Sequence, residues 1–546
     1  MKPSWINFMF FFFMSFACLW CDSRNDASER SLAAGKSLEL ELRARVETGQ
    51  ESGRFHVTRQ AVNWSPQQTA VIICDMWDLH SCLNATRRGA EMVPRMNKFV
   101  ANARARGVTI IHAPSSCMAA YDGHPARRNT ESVPMAQDLP RDIKKWCYVI
   151  PSEEQGEYPI DQSDGGDDDE PAAHAAWAKK LADMGRNPKE PWKSQVDALQ
   201  IQNGDFISDE GDRIWSILEH RNVSNVILVG VHTNMCVLGR PFGLRQMAKN
   251  GKNVVLVRDL TDTMYNPQMP PYVSHFSGTD FIVHHIEKFV CPTITSDQLL
   301  GGRPFRFVND HRPRLVMVIA EQEYNTRQTL PEFANQHLAK HFSIDYVFAN
   351  EQDRNDLPGL ETLDDADLAV ISVRRRVLPK SQLDAVRRFV AAGKPLIGIR
   401  TASHAFALRD ATTPAGRHAW EEFDADVIGG HYTGHSGEGS HVAIKAAVQV
   451  HPILTEVNPA GLQGNGTLYF VSPLADTASS LLTGTIPDFP AEPVAWLNRR
   501  RDGGRTFYTS LGHPKDFESP EFNRLLRGAI YWLAGVELSD RVEHGE

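Results

Sequence analysis

The chain has 546 residues, of which 42% are hydrophobic and 23% are charged, and its formal net charge is -9. This length is too great for one hydrophobic core, so more than one domain is expected. The pI near 6.2 argues against a nucleic-acid-binding surface, which is normally basic. The short basic runs "RDIKK" and "RRR" are more typical of solvated faces.

Residues 1–21 have the pattern of a secretory signal, with an early lysine and an apolar run that ends near the small residue Ala17. Cleavage after Ala17 would leave Cys18 first, as in a bacterial lipoprotein, and an uncleaved membrane anchor is the alternative. Residues 22–53 begin with a polar stretch and are predicted to form a flexible tether. We therefore expect an exported protein of the periplasm or cell envelope, held to a membrane only through an N-terminal lipid.

Residues 54–307 alternate short apolar strands with amphipathic helical patterns. The predicted strands are "TAVIICDM", "GVTIIHAP", "VDALQI", "NVILVGV" and "NVVLVRD". Helices are predicted at "GAEMVPRMNKFVANARARG" and "SDEGDRIWSILEHRN". Continuous apolar strands separated by amphipathic helices indicate a parallel sheet that is covered on both faces.

An acidic segment, residues 152–192, interrupts this alternation. Its core "DQSDGGDDDEP" is rich in glycine and shows no hydrophobic periodicity, so we expect a solvent-exposed insertion loop. The spacing of its carboxylates does not follow that of an EF-hand calcium loop. The sequence predicts no metal and no other cofactor.

A second alternation of strands and helices covers residues 312–538, after the polar hinge "NDHRPR". Strands are predicted at "RLVMVIAE", "DYVFAN", "DADLAVISV" and "KPLIGIR". Helices are predicted at "KSQLDAVRRFVAAG" and "SPEFNRLLRGAIYWLAG". The predicted fold is therefore α/β, with two doubly wound, mainly parallel-sheet αβα domains in tandem.

Two chemically active side chains of the first half follow predicted strands. Asp75 ends the first strand and Cys236 comes just after the fourth. Ligands of open parallel sheets bind at the carboxyl ends of the strands, so the fold would bring both residues to one rim. A thiol at the start of a helix loses its proton more easily, and Asp75 could accept that proton. The alternatives are a packed core cysteine and an aspartate that caps a turn.

The segments "AVIICDMWD", "GVTIIHAP" and "NVILVGVHTNMCV" with "RQMAKNGKNVVLVRD" closely resemble the isochorismatase-like cysteine hydrolases, which include nicotinamidases. The resemblance implies Asp75 as general base and Cys236 as nucleophile, acting on an amide or related C–N bond. It also implies a cis peptide bond at Val231–His232, beside an oxyanion hole made by backbone N–H groups of "HTNMC". His232 and Thr233 are accordingly candidate substrate-binding residues.

One departure from the family concerns its third catalytic residue, a lysine. Gln202 or Asn203 fills its place, and Lys193 comes about ten residues too early. Loss of such a cation typically costs ~10²–10³ in rate. His232 is an alternative cation, and Asn203 is kept as a candidate substrate-binding residue.

Other polar residues of the first half are weaker candidates. Nicotinamidases hold a metal through an Asp-x-His pair, and "YDGHP" offers Asp122 and His124 in about that region. A later histidine that would complete such a site has no clear match, so a surface turn is the expected structure. His80 and His112 are further residues that could approach the rim.

The second half, with "GGHYTGH", "TSLGHPKDF" and "RGAIYWLAG", resembles the trehalose-utilization (ThuA-like) family of the glutamine-amidotransferase-like superfold. Active amidotransferases place a cysteine at the strand-to-helix elbow, but "GIRTASH" puts Arg400 there. No cysteine follows Cys291, which excludes glutamine hydrolysis by this half. The remaining polar candidates could bind a sugar or move its protons; they are Arg400, His404, His431, His435 and His513.

The sequence thus favours a cysteine hydrolase that acts on a small molecule and is fused to a carbohydrate-related domain. A non-catalytic binding protein is the first alternative, because each half lacks one expected catalytic group. In the second alternative the ThuA-like half acts on oxidised sugars and the first half is a scaffold. The expected partners are a small-molecule substrate, with a sugar derivative as one option, and a second copy of the chain; nucleic acid is not expected.

Overall fold

The computed structural model describes residues 37–437, 441–448 and 450–537. The predicted signal segment, with Cys18, lies outside these residues. Within the described part of the chain, no helix is both long enough and apolar enough to cross a membrane. Two α/β domains follow one another, each built around one large sheet.

The first sheet has eight strands. They are β1 (Leu38–Glu47), β2 (Phe55–Trp64), β3 (Thr69–Cys74), β4 (Thr109–Ala113), β5 (Phe206–Ile207), β6 (Asn225–Val231), β7 (Asn253–Asp262) and β8 (Thr293–Ile294). Their order is β2-β1-β8-β7-β6-β3-β4-β5. The strands from β8 across to β5 run parallel, and β1 and β2 form an antiparallel edge.

Helices cover both faces of this sheet. They are α1 (Leu83–Ala105), α2 (Pro125–Ser132), α3 (Pro171–Asp183), α4 (Gly211–His220), α5 (Leu244–Lys249), α6 (His275–Phe289) and α7 (Asp297–Leu300). Side chains of β3 alternate between the two faces: Val71 packs with α1 residues such as Phe99, whereas Ile72 packs with the α4–α6 side. Burial on both faces explains why β3 and β6 are continuously apolar.

Two sequence predictions are wrong in this domain. The predicted tether extends to residue 53, but Leu38–Glu47 is a strand of the sheet. Its first side chains alternate between buried and exposed, and Leu38 and Leu40 pack in the hydrophobic core. Residues 196–201, predicted as a strand, form none. The short strand of that region is Phe206–Ile207, which pairs with β4.

The second domain has a nine-stranded sheet and a separate two-stranded one. The strands are β9 (Arg314–Ala320), β10 (Ser343–Phe348), β11 (Leu368–Val373), β12 (Leu396–Ile399), β13 (Gly434–His435), β14 (Val442–Ala446), β15 (Gln463–Gly464), β16 (Tyr469–Phe470), β17 (Ala478–Thr485), β18 (Glu492–Arg499) and β19 (Arg505–Thr509). The large sheet has the order β10-β9-β11-β12-β19-β18-β17-β14-β15. It is parallel from β10 to β19 and antiparallel beyond.

Three helices complete the αβα arrangement of the second domain: α8 (Thr326–His337), α9 (Lys380–Ala391) and α10 (Pro520–Ala534). Phe333 of α8 and Ile530 of α10 belong to one hydrophobic core, and Phe389 of α9 belongs to the core on the opposite face. The predicted fold class is therefore confirmed for both halves.

Buried charges join the two domains. Arg45 of β1 donates to Glu287 of α6 at 3.0 Å and also pairs with Asp345 of β10. Arg43 lies 2.7 Å from the same Glu287 carboxylate. Burial by itself would raise the pKa of Glu287, but Arg43 and Arg45 lower it to about 2. These ion pairs hold β1 against the second domain.

Candidate functional site

The main candidate site lies where β3 and β6 end. Asp75 follows β3 directly, and Cys236 lies in a π-helical turn, Thr233–Val237, just after β6. The two strands are neighbours in parallel register, with Cys74 opposite Gly230. A Cβ on Gly230 would lie 2.0 Å from the Cys74 carbonyl oxygen, so only glycine permits this close approach.

Three side chains meet at this rim. Cys236 lies beside Asp75 and Arg240, whose opposite charges both act on the pKa of its thiol. Asp75 is fully buried; its Oδ1 accepts from the Ser115 N–H at 2.7 Å and its Oδ2 from Arg240 Nε at 3.0 Å. Thiol, carboxylate and cation therefore form one contiguous cluster.

The protonation state of this cluster follows from its burial. Desolvation, and then the charge of Asp75, raise the pKa of the Cys236 thiol well above its usual range, and Arg240 opposes this shift. Desolvation also raises the pKa of Asp75, against the lowering by Arg240. The predicted low thiol pKa is thus wrong for this resting arrangement: the side chain is 7% exposed, and the helix α5 begins only at Leu244.

The position of the missing lysine is taken by neither predicted residue. Asn203 is exposed and precedes β5, at the opposite end of the strands from Asp75, and its carbonyl accepts from Asn129 at 2.7 Å. Its prediction as a substrate-binding residue is therefore contradicted by strand direction. A different cation lies at the rim: Arg240, which pairs with Asp75 and which sequence reasoning missed. The signal was its position four residues after Cys236, a spacing that brings side chains together on a helical turn.

His232 and Thr233 lie at the rim but are engaged with the protein. The Val231–His232 peptide bond is cis, as expected. Burial lowers the pKa of His232 well below its usual value, so the ring is neutral and does not replace the lysine. The Thr233 hydroxyl contacts the Thr261 hydroxyl at 2.7 Å and donates to the Asp262 carbonyl at 2.9 Å, which ties the turn to β7.

Aromatic rings line the approach to this rim. The His80 ring lies 4.8 Å from that of His232, and Trp77 stacks on Trp192 at 4.5 Å and on His80 at 6.1 Å. His112, by contrast, is fully buried in β4 and bonded within the core. Of the two further histidines considered from the sequence, His80 lies beside the rim and His112 does not.

The acidic insertion is packed onto the rim, so its prediction as a solvent-exposed loop is wrong. Tyr158 donates to the Asn234 carbonyl at 3.2 Å, and Gln162 accepts from the Asn234 amide at 2.7 Å. Trp177, in α3, donates to the His80 carbonyl at 2.9 Å. The insertion therefore supports the turn that carries the cysteine.

One group in this region has atoms close enough to hold a metal ion: Cys82, Asp168 and Asp169. Asp168 pairs with Arg88 at 2.8 Å. Asp169 accepts from two N–H groups at the start of α1, the first of them Leu83 at 2.7 Å. These carboxylates thus cap a helix and pair with an arginine, a structural role that needs no ion.

The second domain presents a comparable rim around Arg400. This residue follows β12 with φ +46° and is 2% exposed. Its guanidinium donates to the Ser510 carbonyl at 2.6 Å and to the Tyr324 hydroxyl at 3.2 Å. Its central carbon lies 4.2 Å from the ring centre of Tyr324 and 4.7 Å from that of Tyr469. Arg400 is therefore clamped between two aromatic rings.

Of the predicted histidines, His404 lies deepest at this rim, with its ring 4.5 Å from that of Tyr432. Burial and then the nearby arginines lower the pKa of His404 to about 3, so it is neutral near neutral pH. His431 lines the same cavity and bonds to Asp424 at 2.5 Å.

The other two histidines, His435 and His513, do not line that cavity. His435 contacts the Ser436 carbonyl at 2.7 Å. His513 caps a short turn by accepting from the Lys515 N–H, and its ring lies 6.2 Å from Tyr324. His404 and His431 thus share one cavity, whereas His435 and His513 lie by Tyr469 and Tyr324, the rings that clamp Arg400.

Comparison with known proteins gives a family for the second half alone. Residues 314–533 match the family model of ThuA, described as trehalose utilisation. A ThuA-like protein from Bacteroides uniformis ATCC 8492 is 17% identical, with 42% of this chain and 95% of that chain covered and a TM-score of 0.33. No curated protein matches the chain.

The other similar structures include cysteine hydrolases. One from Pseudomonas syringae pv. phaseolicola 1448A is 18% identical, with 44% of this chain and 94% of that chain covered and a TM-score of 0.27. An isochorismatase family protein from Burkholderia thailandensis is 15% identical, with 42% and 93% covered and a TM-score of 0.24. The protein thus joins an α/β domain with an Asp–Cys–Arg cluster to a ThuA-like domain.

Proposed function

We propose that the first domain is a cysteine hydrolase that cleaves an amide-type or related C–N bond of a small molecule. The observation that carries this proposal is the Asp75–Arg240 ion pair, 3.0 Å long, next to the Cys236 thiol, whose pKa both charges shift. A carboxylate next to the thiol is in place to accept its proton. Retention of Asp75 and Cys236, with Arg240 as a cation beside them, favours an enzyme over a binding protein.

In the proposed reaction the sulfur of Cys236 attacks the substrate carbonyl carbon while its proton passes to Asp75. Backbone N–H groups of the Thr233–Val237 turn hold the oxyanion of the tetrahedral intermediate. Asp75 then gives the proton to the nitrogen as the C–N bond breaks, which releases the amine and leaves a thioester. A water molecule, deprotonated by Asp75, hydrolyses the thioester to the carboxylic acid and restores the thiol.

Arg240 takes the part that the family gives to lysine. Its positive charge opposes the high thiol pKa that burial imposes, so it stabilises sulfur as the proton leaves. Its bond to Asp75 also favours the ionised carboxylate, which is the form that acts as a base.

The test is acylation of the full-length protein by p-nitrophenyl acetate. We expect a stoichiometric burst of p-nitrophenolate and an acetyl group on Cys236, located by peptide mass spectrometry. Cys236→Ala should abolish the burst. Cys147→Ala is the matched control, because Cys147 is also 7% exposed. Equal acetylation of all cysteines, with the burst kept in Cys236→Ala, would leave the first domain as a scaffold or binding module.

For the second domain we infer carbohydrate recognition. The family match to trehalose utilisation supports it, as does the cavity lined by His404, Tyr432 and Trp420, because aromatic faces pack well against the apolar faces of sugar rings. Calorimetry with glucose and trehalose tests it, and Tyr432→Ala should weaken the binding.

We also propose that the chain is exported through residues 1–21, with lipid attachment at Cys18 as the alternative to simple secretion. The support is the order of charged, apolar and small residues in that segment. N-terminal mass mapping of the protein from the cell envelope tests this proposal, and an intact Met1 would contradict it.

A further inference from the structure

Three consecutive arginines, Arg374 to Arg376, follow β11 directly. The sequence predicted a solvated basic run, but the structure places it at the rim beside the elbow. The Arg375 N–H donates to the His404 carbonyl at 3.0 Å, and the Arg376 N–H donates to the Ala405 carbonyl at 2.7 Å. Arg376 is only 3% exposed. The run is therefore built into the site.

The arginines at this rim differ in whether they pair with a carboxylate. Arg374 pairs with Glu323 at 2.6 Å. Among the described residues, Arg375 and Arg409 have no carboxylate oxygen within the 4.0 Å of an ion pair. Burial, and then Arg409 and Arg374, lower the pKa of Arg375. Unpaired cations gathered in a partly desolvated place attract an anion.

A cavity of about 330 Å³ lies at these arginines. Arg375, Arg409, His404 and Tyr432 line it, together with three carboxylates, Asp410, Glu421 and Asp424. Asp424 is engaged by His431, while Asp410 and Glu421 are exposed. Its volume is at the lower end of ligand pockets, as expected for a single sugar unit.

The backbone supplies an independent sign of a built site. Arg375 has φ +50° and Arg400 has φ +46°, a left-handed conformation that non-glycine residues seldom adopt. Such conformations cost free energy and cluster where ligands bind. The two arginines stand on neighbouring strand ends, because β11 pairs directly with β12.

We propose that this cavity binds an anionic sugar, with its carboxylate or phosphate held by Arg375 and Arg409 and its ring against Tyr432. The proposal rests on the carbohydrate recognition inferred above and adds the charge of the ligand. Guanidinium groups suit both anions, because their N–H donors form charge-assisted hydrogen bonds with carboxylate and phosphate oxygens.

The experiment is calorimetric titration of the full-length protein with glucose, glucuronate, glucose 6-phosphate and inorganic phosphate. We expect one of the two anionic sugars to bind at least about tenfold more tightly than glucose, with an affinity that falls as salt is added. Whether glucuronate or glucose 6-phosphate binds better identifies the anionic group. Arg375→Gln and Arg409→Gln should each reduce the affinity toward that for glucose.

Arg388→Gln is the matched control, because Arg388 is an arginine of α9 that pairs with Asp364 at 2.8 Å on the surface; it should leave binding unchanged. Equal affinities for glucose and both anionic sugars would overturn the anion subsite and leave carbohydrate recognition standing. Inorganic phosphate that binds as tightly as glucose 6-phosphate would overturn the role of the sugar ring. Failure of every sugar to bind would overturn both proposals. Arg409 is exposed, so its variant keeps the test valid if Arg375→Gln does not fold.

Discussion

The rims of the two domains share a backbone feature and differ in chemistry. Each places a non-glycine residue in a left-handed conformation just after a central parallel strand: Asp75 with φ +45° and Arg400 with φ +46°. The first residue is a carboxylate whose charge raises the pKa of a neighbouring thiol. The second is a guanidinium between two tyrosine rings. The same left-handed backbone conformation at the end of a strand can thus present a base or a binding group, and the identity of the side chain determines which function is possible.

The charge arrangements also differ. The first rim pairs opposite charges, Asp75 with Arg240 at 3.0 Å, around a neutral thiol. Among the described residues of the second rim, Arg375 and Arg409 make no ion pair, and they lie near the neutral His404. A paired cluster suits proton transfer between its own members, whereas arginines without an ion-pair partner suit an anion supplied by a ligand.

The largest effect is expected from Arg240→Ala, which removes the cation of the first rim. The rate of acylation by p-nitrophenyl acetate should fall about 10²–10³-fold, and Arg240→Lys should recover part of it. Stopped-flow measurement of the burst checks this. A full burst rate in Arg240→Ala would mean that the first rim does not depend on charge pairing.

Glu287→Gln tests the buried ion pairs that join the two domains. Loss of this buried carboxylate leaves Arg43 and Arg45 short of a partner and should cost about 3 kcal/mol in the free energy of unfolding. Glu39→Gln is the control, since Glu39 is exposed on β1. Because the folded pKa of Glu287 is about 2 and the usual value is 4.5, its stabilisation is present above pH 4.5 and is lost as pH falls toward 2. Denaturant titrations that show the same acid loss in Glu287→Gln would contradict this assignment.

The pH dependence of acylation tests the role of the Asp75 carboxylate at the first rim. Asp75 must be ionised to accept the thiol proton, and burial raises its pKa. The acylation rate should therefore decline as pH falls through a midpoint above the usual 3.8 of an aspartate, by about tenfold per pH unit below it. Asp75→Asn should be slow at every pH and lack this limb. A limb that persists in Asp75→Asn would assign the base to another group.

The smallest effect is expected at His404. Its pKa is about 3 in the folded protein and 6.5 is the usual value, so the unfolded chain takes up its proton first as pH falls. The stability that His404 contributes is complete above pH 6.5 and decreases from there toward pH 3. His404→Gln should flatten the dependence of Tm on pH by about 2–4 °C, and the exposed His220→Gln should not. An unchanged slope in His404→Gln would mean that the ring is not desolvated.

The sequence by itself determined the fold class and the pairing of Asp75 with Cys236 at one rim. Both follow from local signals: continuously apolar strands such as β3 and β6 are stable only when helices cover both faces, and parallel strands bring their carboxyl ends together. The ThuA-like character of the second half was also evident from its motifs and is confirmed by the family match over 314–533.

Only the tertiary structure decided which polar residues matter at those rims. Arg240 meets Asp75, and Asn234 meets Gln162 of the insertion; these partners are far apart in sequence and carry no shared periodicity. The high thiol pKa of Cys236 and the role of Arg240 depend on desolvation. Desolvation is set by everything packed around a group, so no pattern of neighbouring residues could reveal it.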